Sequence, residues 1–393
     1  MSSNTPIFLA SLIFFIFSQA KAELGSVTFN VVELGAIPDG KTDSSKSFLD
    51  AWKAACGSVV PASIYVPPGR FLIQGLYFGD KCKTKNVLFR IDGLLVAPAD
   101  FFVTGNMANW IDFREVDGVT ISGGILDGQG IGLWDCKLAG KSCPSGATTL
   151  GFTGSKNIVV KGLTSLNSQM FHIVVNGCQN VKMKGLKVLA SGNSPNTDGI
   201  HVQLSSGVTI LNTKISTGDD CISIGAGTTD LWIEKVFCGP GHGISIGSLG
   251  KDLKEPGVEN VTVKTVTFSG TQNGARIKTW GRPSSGFARN ILFQHITMKN
   301  VKNPLVIDQN YCPNKRDCPG QISGVKISDV TYQDIHGTSA ADIAVKFDCS
   351  KENPCDGIKL EKVKLTYRNQ PAEAFCSNAA GTASGIVVPS SCL

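Results

Sequence analysis

The chain has 393 residues and a net charge of +6, with 42% hydrophobic and only 17% charged residues. This combination excludes a disordered chain, which needs low hydrophobicity and high net charge, and a coiled coil, which is rich in charged helix formers. Glycine supplies 44 residues, which is about 11% against a usual ~7%. Few charges and many glycines indicate a β-rich, turn-rich globular chain, long enough for one large domain or two ordinary ones.

A signal peptide is predicted at the amino end. The apolar run from Ile7 to Phe17 is too short to cross a bilayer, and Ala20-Lys21-Ala22 follows it, the small-x-small pattern of a signal peptidase site. We therefore expect residues 1–22 to be removed and the protein to be secreted. The mature chain 23–393 then carries a net charge of +5, because Lys21 is the only charged residue removed. No later apolar run approaches the length of about 20 residues that a spanning helix needs.

A short helix is predicted near the start of the mature chain, at residues 44–56. Thr42-Asp43-Ser44 offers residues that favour helix starts, and Phe48, Trp52 and Ala55 then recur at helical spacing. Because the open ends of a stacked fold must be covered, we expect this helix to close the amino-terminal end of the repeat that follows it.

A repeat runs through most of the chain. An eight-residue pattern, apolar-x-apolar-x-x-apolar-x-apolar, returns nine times. Its first positions are Val119, Ile158, Val181, Val208, Leu231, Val261, Ile291, Val325 and Ile358. Every step between them falls within the period of about 20 to 50 residues that indicates a solenoid, a propeller or an array. Alternation with period two within each copy indicates strands.

A parallel β-helix fits this repeat best. The steps are too short for propeller blades of about 40–45 residues, and no helical stretch separates the copies, as a βαβ sheet or a leucine-rich repeat would need. A β-sandwich with irregular hairpins does not explain why one pattern keeps returning. We therefore predict an all-β protein in which residues 23–393 form one parallel β-helix domain, whose stacked coils fuse their apolar faces into one core.

A second short strand lies between copies of the repeat and carries polar residues. Four of these strands are marked by a central isoleucine, at Ile200, Ile222, Ile244 and Ile277. The step from the first mark to the second equals the step from the second to the third, and we interpret each as one coil. Equivalent positions on stacked parallel strands lie about 4.8 Å apart.

Three ionisable residues share one position in this register. Asp198, Asp220 and His242 each lie two residues before their isoleucine, so we expect them to form one column, with Asp219 at the turn beside it. An Asp-Gly or Asp-Asp pair is an ordinary turn, which accounts for one aspartate but not for the set. Closely packed carboxylates repel one another and raise one of their pKa values, and acid–base catalysis uses such a difference.

Two cations complete this polar strip. Arg276 and Lys278 flank Ile277, so both point away from the core if Ile277 points in. Paired carboxylates are what cleavage of a glycosidic bond requires, and Arg and Lys suit a substrate that bears carboxylates. The excess positive charge would also attract a polyanion. Nucleic acid is not expected, because there is no run of Lys or Arg and no basic patch with interleaved aromatics.

Thirteen cysteines all follow residue 22, and a secreted chain with this many is expected to form disulfides. A metal site is the competing interpretation, but no pair of C-x-x-C motifs and no His/Cys cluster is present. Sequence alone does not decide which cysteines pair with which. Pairing cysteines that are neighbours along the chain gives six disulfides and leaves Cys178 without a partner. The pairs are Cys56–Cys82, Cys136–Cys143, Cys221–Cys238, Cys312–Cys318, Cys349–Cys355 and Cys376–Cys392. Asn260 heads the one glycosylation sequon.

Four sequence blocks carry a resemblance to a known family. They are Ser194-Pro195-Asn196-Thr197-Asp198-Gly199, Gly218-Asp219-Asp220-Cys221, the segment 239–248 with Gly241-His242-Gly243, and Arg276-Ile277-Lys278. In this order they resemble the polygalacturonases, family 28 of the glycoside hydrolases, and most nearly the pollen-type exopolygalacturonases of plants. The resemblance extends from Phe29 to the carboxyl end.

The resemblance implies a single-stranded, right-handed parallel β-helix of the pectin lyase type. It also implies a secreted cell-wall enzyme that hydrolyses the α-1,4-galacturonosyl bonds of polygalacturonate, the acidic polymer of pectin. The reaction would proceed with inversion and from the non-reducing end, on a monomer that needs no metal or cofactor.

The resemblance assigns roles to the polar column. Asp219 resembles the general acid, and Asp198 and Asp220 resemble the carboxylates that hold and activate the water. His242 resembles the residue that supports the protonation and position of the acid.

Four further residues resemble substrate-binding positions. Arg276 and Lys278 match the pair that binds the sugar carboxylate, Tyr311 matches a tyrosine that lines the substrate subsite, and Asn196 matches a residue near the catalytic groups. Packing beside a cysteine loop is the alternative role for Tyr311, and a turn is the alternative for Asn196. The family also places the Cys221–Cys238 bridge beside the site.

Three alternatives stay open at this point. Endo action is the nearest, because loops decide between exo and endo cleavage. A pectate lyase shares the solenoid but cleaves by β-elimination, usually with Ca²⁺. A non-catalytic wall-binding protein on the same scaffold is the third.

Overall fold

The computed structural model describes residues 25–79, 81–313 and 318–393. The predicted signal peptide, residues 1–22, lies outside these ranges. Within them the chain winds through two parallel sheets that enclose one apolar core. The prediction of an all-β, right-handed parallel β-helix is confirmed.

The larger sheet contains the strands that carry the eight-residue pattern, and all its pairings are parallel except one, between Cys355–Tyr367 and Gln370–Pro371. Its strands are β1 (Val27–Asn30), β2 (Asp39–Asp43), β3 (Ala62–Val66), β4 (Arg70–Leu72), β6 (Val87–Val96), β8 (Val119–Asp127), β10 (Lys156–Lys161), β11 (Thr164–Leu166), β13 (Gln179–Lys184), β14 (Lys187–Leu189), β16 (Ser206–Ser216), β18 (Thr229–Cys238), β20 (Val258–Ser269), β22 (Phe287–Val301), β24 (Lys326–Ser339), β26 (Cys355–Tyr367), β27 (Gln370–Pro371) and β29 (Ala379–Val388).

The smaller sheet contains the second strand of each coil and runs in chain order from one end of the stack to the other. Its strands are β5 (Leu76–Phe78), β7 (Asn109–Arg114), β9 (Thr148–Thr153), β12 (Ile173–Asn176), β15 (Ile200–Gln203), β17 (Ile222–Ile224), β19 (Ile244–Leu249), β21 (Asn273–Trp280), β23 (Asn303–Tyr311), β25 (Ile343–Asp348) and β28 (Glu373–Ser377).

Alternation along each strand builds the core. In β16, Val208, Ile210 and Ile215 are fully buried, while Thr209 and Lys214 between them face outward. The strands above and below repeat this alternation in register. Stacking therefore removes one continuous apolar face from water, which no single coil achieves alone.

The two adjacent polar positions in the middle of the eight-residue pattern form a corner, where the strand bends. In β16, β18 and β20 the chain turns at Asn212, Lys235 and Thr265, whose φ angles are 51°, 57° and 55°. The pairing places these three residues on neighbouring coils. Asparagine tolerates left-handed backbone, whereas a β-branched threonine does so only under constraint. The ladders on both sides of the corner supply that constraint.

Strand pairing confirms the predicted register of every copy of the repeat but one. The copy predicted at Val325 is wrong by five residues, because Ile291 pairs with Val330. Two overlapping apolar alternations start at Val325 and at Val330, so the pattern alone did not separate them. Strand β24 begins early, and its Ile327 lies beside Ala288 of β22.

The described ranges contain three helices: α1 (Ser45–Gly57), α2 (Phe101–Thr104) and α3 (Ile131–Leu138). Helix α1 confirms the helix predicted at residues 44–56 and contacts β1, β3 and β5. Its start is stabilised by Asp43, whose Oδ1 accepts a 3.0 Å hydrogen bond from the Ser45 backbone. Phe48 and Trp52 are buried, so α1 covers the end of the core. In the described parts of the chain, no helix has the length and apolarity to cross a membrane.

All six predicted disulfides are present, and Cys178 is a buried free thiol. Neighbour pairing succeeded because each bridge joins cysteines that are close in the sequence, with separations from 6 to 26, so that they lie on the same coil or on adjacent ones. Burial raises the pKa of the Cys178 thiol, so little of it is the reactive thiolate.

One buried hydroxyl marks a position where a substitution should stabilise the fold. Tyr332 of β24 is fully buried between the rings of Phe293 and Phe347, at centroid distances of 5.3 and 5.5 Å. Its hydroxyl has no hydrogen-bond partner among the described residues. Tyr332→Phe is therefore expected to raise the free energy of unfolding by about 1 kcal/mol, since an unsatisfied buried hydroxyl costs roughly 1–3 kcal/mol. Thermal unfolding measures the change, and a lower midpoint in the variant would contradict it.

Candidate active site

The polar column forms on neighbouring strands of the smaller sheet. Ile200 pairs with Ile222 and Ile222 with Ile244, which confirms the register predicted for these three marks. The residues two positions earlier are therefore stacked as predicted: Asp198, Asp220 and His242.

The register predicted for the fourth strand is wrong by two residues. Ile244 pairs with Ala275, and Ile277 pairs with Ile246 instead. Ala275 is fully buried and occupies the core position that the larger isoleucine was expected to fill. The orientation predicted for the flanking cations is nevertheless correct, because Ile277 is buried and Arg276 turns toward the column.

Asp219 lies at the turn before β17, on the accessible side of the column. Its Oδ1 atom lies 3.0 Å from His242 Nδ1 and accepts a 2.8 Å hydrogen bond from the backbone N–H of Asp220. The side chains of Asp219 and His242 are 21% and 37% exposed, so a ligand can reach both. No described residue donates to Oδ2, which leaves that oxygen available for a proton.

Asp220 is fully buried and is surrounded by donors. Its Oδ1 accepts hydrogen bonds from Arg276 Nη2 at 2.7 Å and Ser245 Oγ at 2.9 Å, and its Oδ2 accepts one from Lys278 Nζ at 2.8 Å. Burial alone would raise the pKa of Asp220, but the two cations outweigh burial and lower this pKa below its ordinary value. Asp220 therefore stays ionised.

Asp198 has the opposite electrostatics. It is only 6% exposed, and burial, followed by the negative charges of Asp219 and Asp220, raises its pKa well above the ordinary value. A hydrogen bond from the Ser223 hydroxyl opposes this rise only in part. Two buried carboxylates of different proton affinity thus lie in one site, which is the arrangement that acid–base chemistry requires.

Sequence reasoning missed a second polar column, one residue after the paired core positions Ile200, Ile222, Ile244 and Ala275. His201, Ser223, Ser245 and Arg276 pair in register across four strands. His201 Nδ1 lies 2.8 Å from Ser223 Oγ, and Ser245 Oγ accepts a 2.9 Å hydrogen bond from Arg276 Nε. The sequence signal for this column was the polar residue that directly follows each core position. At two of the four positions this residue is a serine. The serine hydroxyls link the buried carboxylates to the imidazole of His201 and to the guanidinium of Arg276.

Comparison with known proteins identifies the family. The profile of glycosyl hydrolases family 28 matches residues 56–391. The chain belongs to glycosyl hydrolases family 28. A polygalacturonase from Prunus persica is 67% identical over 394 residues, covering 100% of both chains. An exopolygalacturonase from Platanus acerifolia is 45% identical and covers 93% of this chain and 97% of its own.

A solved structure shares the fold. The endo-xylogalacturonan hydrolase from Aspergillus tubingensis superimposes with a TM-score of 0.79 at 24% identity, over 92% of this chain and 100% of that one. Family membership makes this protein a glycosidase. The pectate lyase alternative is therefore wrong, because lyases eliminate and this family hydrolyses.

The two remaining predicted residues of this family 28 protein differ in their placement. Tyr311 pairs with Trp280 in register, and its ring lies 5.1 Å from Lys278 Nζ, so it borders the cations. Asn196 is an exposed turn residue with a φ angle of 55°. No described hydrogen bond joins its side chain to the three aspartates, and its position is that of the turn leading to Asp198.

Three side chains of the candidate active site lie close enough together to be considered as ligands of a metal ion. Oxygen atoms of Asp219 and Asp220 and a ring nitrogen of His242 all lie within 4.8 Å of one another. Both oxygens of Asp220 already accept hydrogen bonds from cationic side chains. The charges of Arg276 and Lys278 would repel a metal ion there, so the donor set suits proton transfer better than metal binding.

Proposed function

We propose that this protein is a secreted hydrolase of the α-1,4-galacturonosyl bonds of polygalacturonate, which removes sugars from the non-reducing end with inversion. The observation that carries the proposal is the contrast between Asp220, which the cations keep ionised, and Asp198, whose pKa is raised. Two such carboxylates beside a third, accessible one supply both halves of glycosidic hydrolysis.

Asp219 is the general acid in this proposal. Its Oδ1 is engaged by His242 and by a backbone N–H, so its proton sits on Oδ2 and transfers to the leaving oxygen. His242 keeps the carboxyl oriented.

Asp198 is the base, and Asp220 orients the attacking water. A carboxylate with a raised pKa accepts the proton of water more readily than one with a lowered pKa. The base role falls to Asp198 and not to Asp220, because Arg276 and Lys278 hold the pKa of Asp220 below its ordinary value.

The cations are proposed to bind the carboxylate of the galacturonate. Arg276 and Lys278 bring two positive charges to the single negative charge of Asp220, which leaves one in excess. Lys278 uses one of its three donors on Asp220, and Arg276 uses one on Asp220 and one on Ser245. The remaining donors and the ring of Tyr311 suit an acidic sugar.

Exo action and secretion rest on separate support. The Platanus acerifolia relative is named an exopolygalacturonase, whereas the more similar relative from Prunus persica is named only a polygalacturonase. Six disulfides suit the oxidising environment of secreted proteins. The cell wall, where pectin occurs, is the proposed place of action, and a monomer is the expected state.

A product profile tests this function. Wild-type protein is incubated with polygalacturonate, and products are separated by chromatography from the first minutes, with and without chelator. We expect monomer alone from the start, no effect of chelator, and the β-anomer as first product by NMR. Mixed oligomers would establish endo action, the α-anomer would overturn the mechanism, and absence of reducing sugar would overturn the assignment.

A further inference from the structure

A second surface of the molecule carries a concentration of positive charge that the catalytic site does not use. It lies on the outward face of the larger sheet, whereas the candidate active site lies on the smaller one. The basic surface consists of five exposed lysines on three successive coils: Lys161, Lys182, Lys184, Lys187 and Lys214.

Strand register brings these lysines together. Lys161 of β10 pairs with Lys184 of β13, and Lys187 of β14 pairs with Lys214 of β16. Paired residues of neighbouring strands lie about 4.8 Å apart, and Lys182 shares the outward face of Lys184 because Met183 between them is buried. The sheet therefore holds like charges side by side, which destabilises strand pairs.

No described acidic residue compensates this charge. None of the five lysines takes part in an ion pair among the described residues. In the column that contains Lys161 and Lys184, the first acidic residue is Glu234, two coils beyond Lys184. Glu234 lies 3.8 Å from Lys235 instead. Further along the sheet the opposite arrangement occurs, because Arg289 lies 2.6 Å from Glu259 on the neighbouring strand. Other exposed lysines of the sheet, such as Lys364 of β26, also lack a described ion pair, but Lys364 pairs with His336. In the basic surface lysine pairs directly with lysine across neighbouring strands.

Aromatic side chains flank the basic surface on the next coil, β18. Trp232 and Phe237 are 40% and 37% exposed, although large aromatic rings usually bury their area. The indole N–H of Trp232 donates a 3.0 Å hydrogen bond to Glu234 Oε2, which fixes the ring on the surface. Lys214 Nζ lies 5.7 Å from the centroid of Phe237. A lysine of the basic surface and an exposed ring therefore meet across two neighbouring coils.

We propose that the basic surface is a second, non-catalytic binding site for an acidic polysaccharide chain. A row of ammonium groups at the spacing of the coils complements a polymer that carries a carboxylate on every sugar, and exposed rings offer apolar area to sugar faces. The choice of galacturonan as the occupant rests on the proposed function, whereas the polyanionic character rests on the charges alone. Such a site would retain the enzyme on its polymer between cleavage events.

Binding measurements on matched variants test this surface. All proteins carry Asp219→Asn to prevent hydrolysis, and trigalacturonate saturates the catalytic cleft. The test variant has Lys182→Gln, Lys184→Gln and Lys187→Gln. The control has Lys359→Gln, Lys362→Gln and Lys364→Gln, which removes three exposed lysines from β26 of the same sheet. Both variants lose the same net charge, so bulk attraction changes equally.

We expect the test variant to bind long polygalacturonate about tenfold more weakly at low salt, since three exposed ion pairs are lost. The control should change less than about twofold, and the difference should vanish near 1 M salt, where charges are screened. Trp232→Ala should weaken binding without altering the salt dependence. Equal losses in test and control would overturn the proposal in favour of net charge alone. Tighter binding of duplex DNA than of polygalacturonate would overturn the choice of polysaccharide.

Hydrolysis assays separate this inference from the proposed function. With Asp219 intact, the test variant should cleave trigalacturonate at the wild-type rate but show a raised KM on long polymer. If wild-type protein cleaves neither, the proposed function fails while the binding comparison still reports on the surface. An unchanged KM on long polymer, together with unchanged binding, would refute the second site alone.

Discussion

Asp219→Asn is expected to lower kcat on polygalacturonate by roughly 10²–10⁴-fold, the range that general acid catalysis contributes. The amide cannot supply a proton to the leaving oxygen, but it keeps the size of the side chain and an oxygen for the backbone N–H of Asp220. The folded structure and the thermal midpoint should therefore be preserved. Reducing-sugar release and thermal unfolding measure the two effects.

A change of leaving group separates the acid role from a positioning role. An aryl galacturonide with an acidic phenol needs little protonation, so the Asp219→Asn protein should retain far more activity on it than on polymer. Asp198→Asn should lose activity on both, because water must still be activated. Asp230→Asn, an exposed change on β18, is the matched control and should leave activity unchanged. Full polymer activity in Asp219→Asn would end the assignment.

Lys278→Met is expected to cost about 3 kcal/mol of stability at neutral pH, because breaking a buried ion pair leaves an uncompensated charge. Lys278 is 7% exposed and Asp220 fully buried, and only Arg276 and Ser245 would still solvate the carboxylate. Methionine keeps the length of the side chain, so loss of packing is small. Denaturant unfolding at two pH values measures the change.

The pH dependence of this effect has a defined sign. The pKa of Asp220 is lowered in the folded protein, so its stabilisation is present above the pKa of an unfolded aspartate and is lost as pH falls through the folded pKa. The penalty of Lys278→Met should therefore shrink in acid. Adding Asp220→Asn should restore part of the loss, since the buried charge is then gone. A penalty that is the same at both pH values would contradict the ion-pair explanation.

The fold was predictable because its information is local and repeated. Each coil restates the same alternation, so an error in one copy, such as that at Val325, leaves the architecture unchanged. The pattern missed coils near the amino-terminal end, where the repeat is weaker. Ala62 pairs with Val87, and Val87 pairs with Val119, so these coils precede the first copy that was identified. The covering helix was also predictable, because Phe48 and Trp52 recur at helical spacing.

The clustering of the candidate site residues was predictable, but their electrostatics were not. The equal spacing of Ile200, Ile222 and Ile244 was enough to stack Asp198 on Asp220, because that spacing is the length of one coil. Which carboxylate carries a raised pKa depends on donors from the fourth strand, where the register prediction was wrong by two residues. The hydroxyls of the second polar column gave no distinctive motif.

The basic surface shows a different limit of sequence reasoning. Lys161, Lys184 and Lys214 come from three coils, and Lys214 lies 5.7 Å from the ring centroid of Phe237 on a fourth, so the absence of a Lys or Arg run along the chain did not exclude a basic surface. A run of charges along the chain was the wrong quantity to examine. In a stacked fold, the relevant neighbours are one coil apart in the sequence.

The unequal lengths of the coils around the site have a consequence for how such enzymes diversify. Ile222 pairs with Ile244, and Ile244 pairs with Ala275 after a distinctly longer stretch of chain, yet the strands stay parallel and in register as far as Ile246. The additional residues emerge as the segment 250–257 beyond the end of β19. Such excursions can be lengthened, shortened or exchanged, while the residues of the candidate active site remain anchored to an unchanging frame.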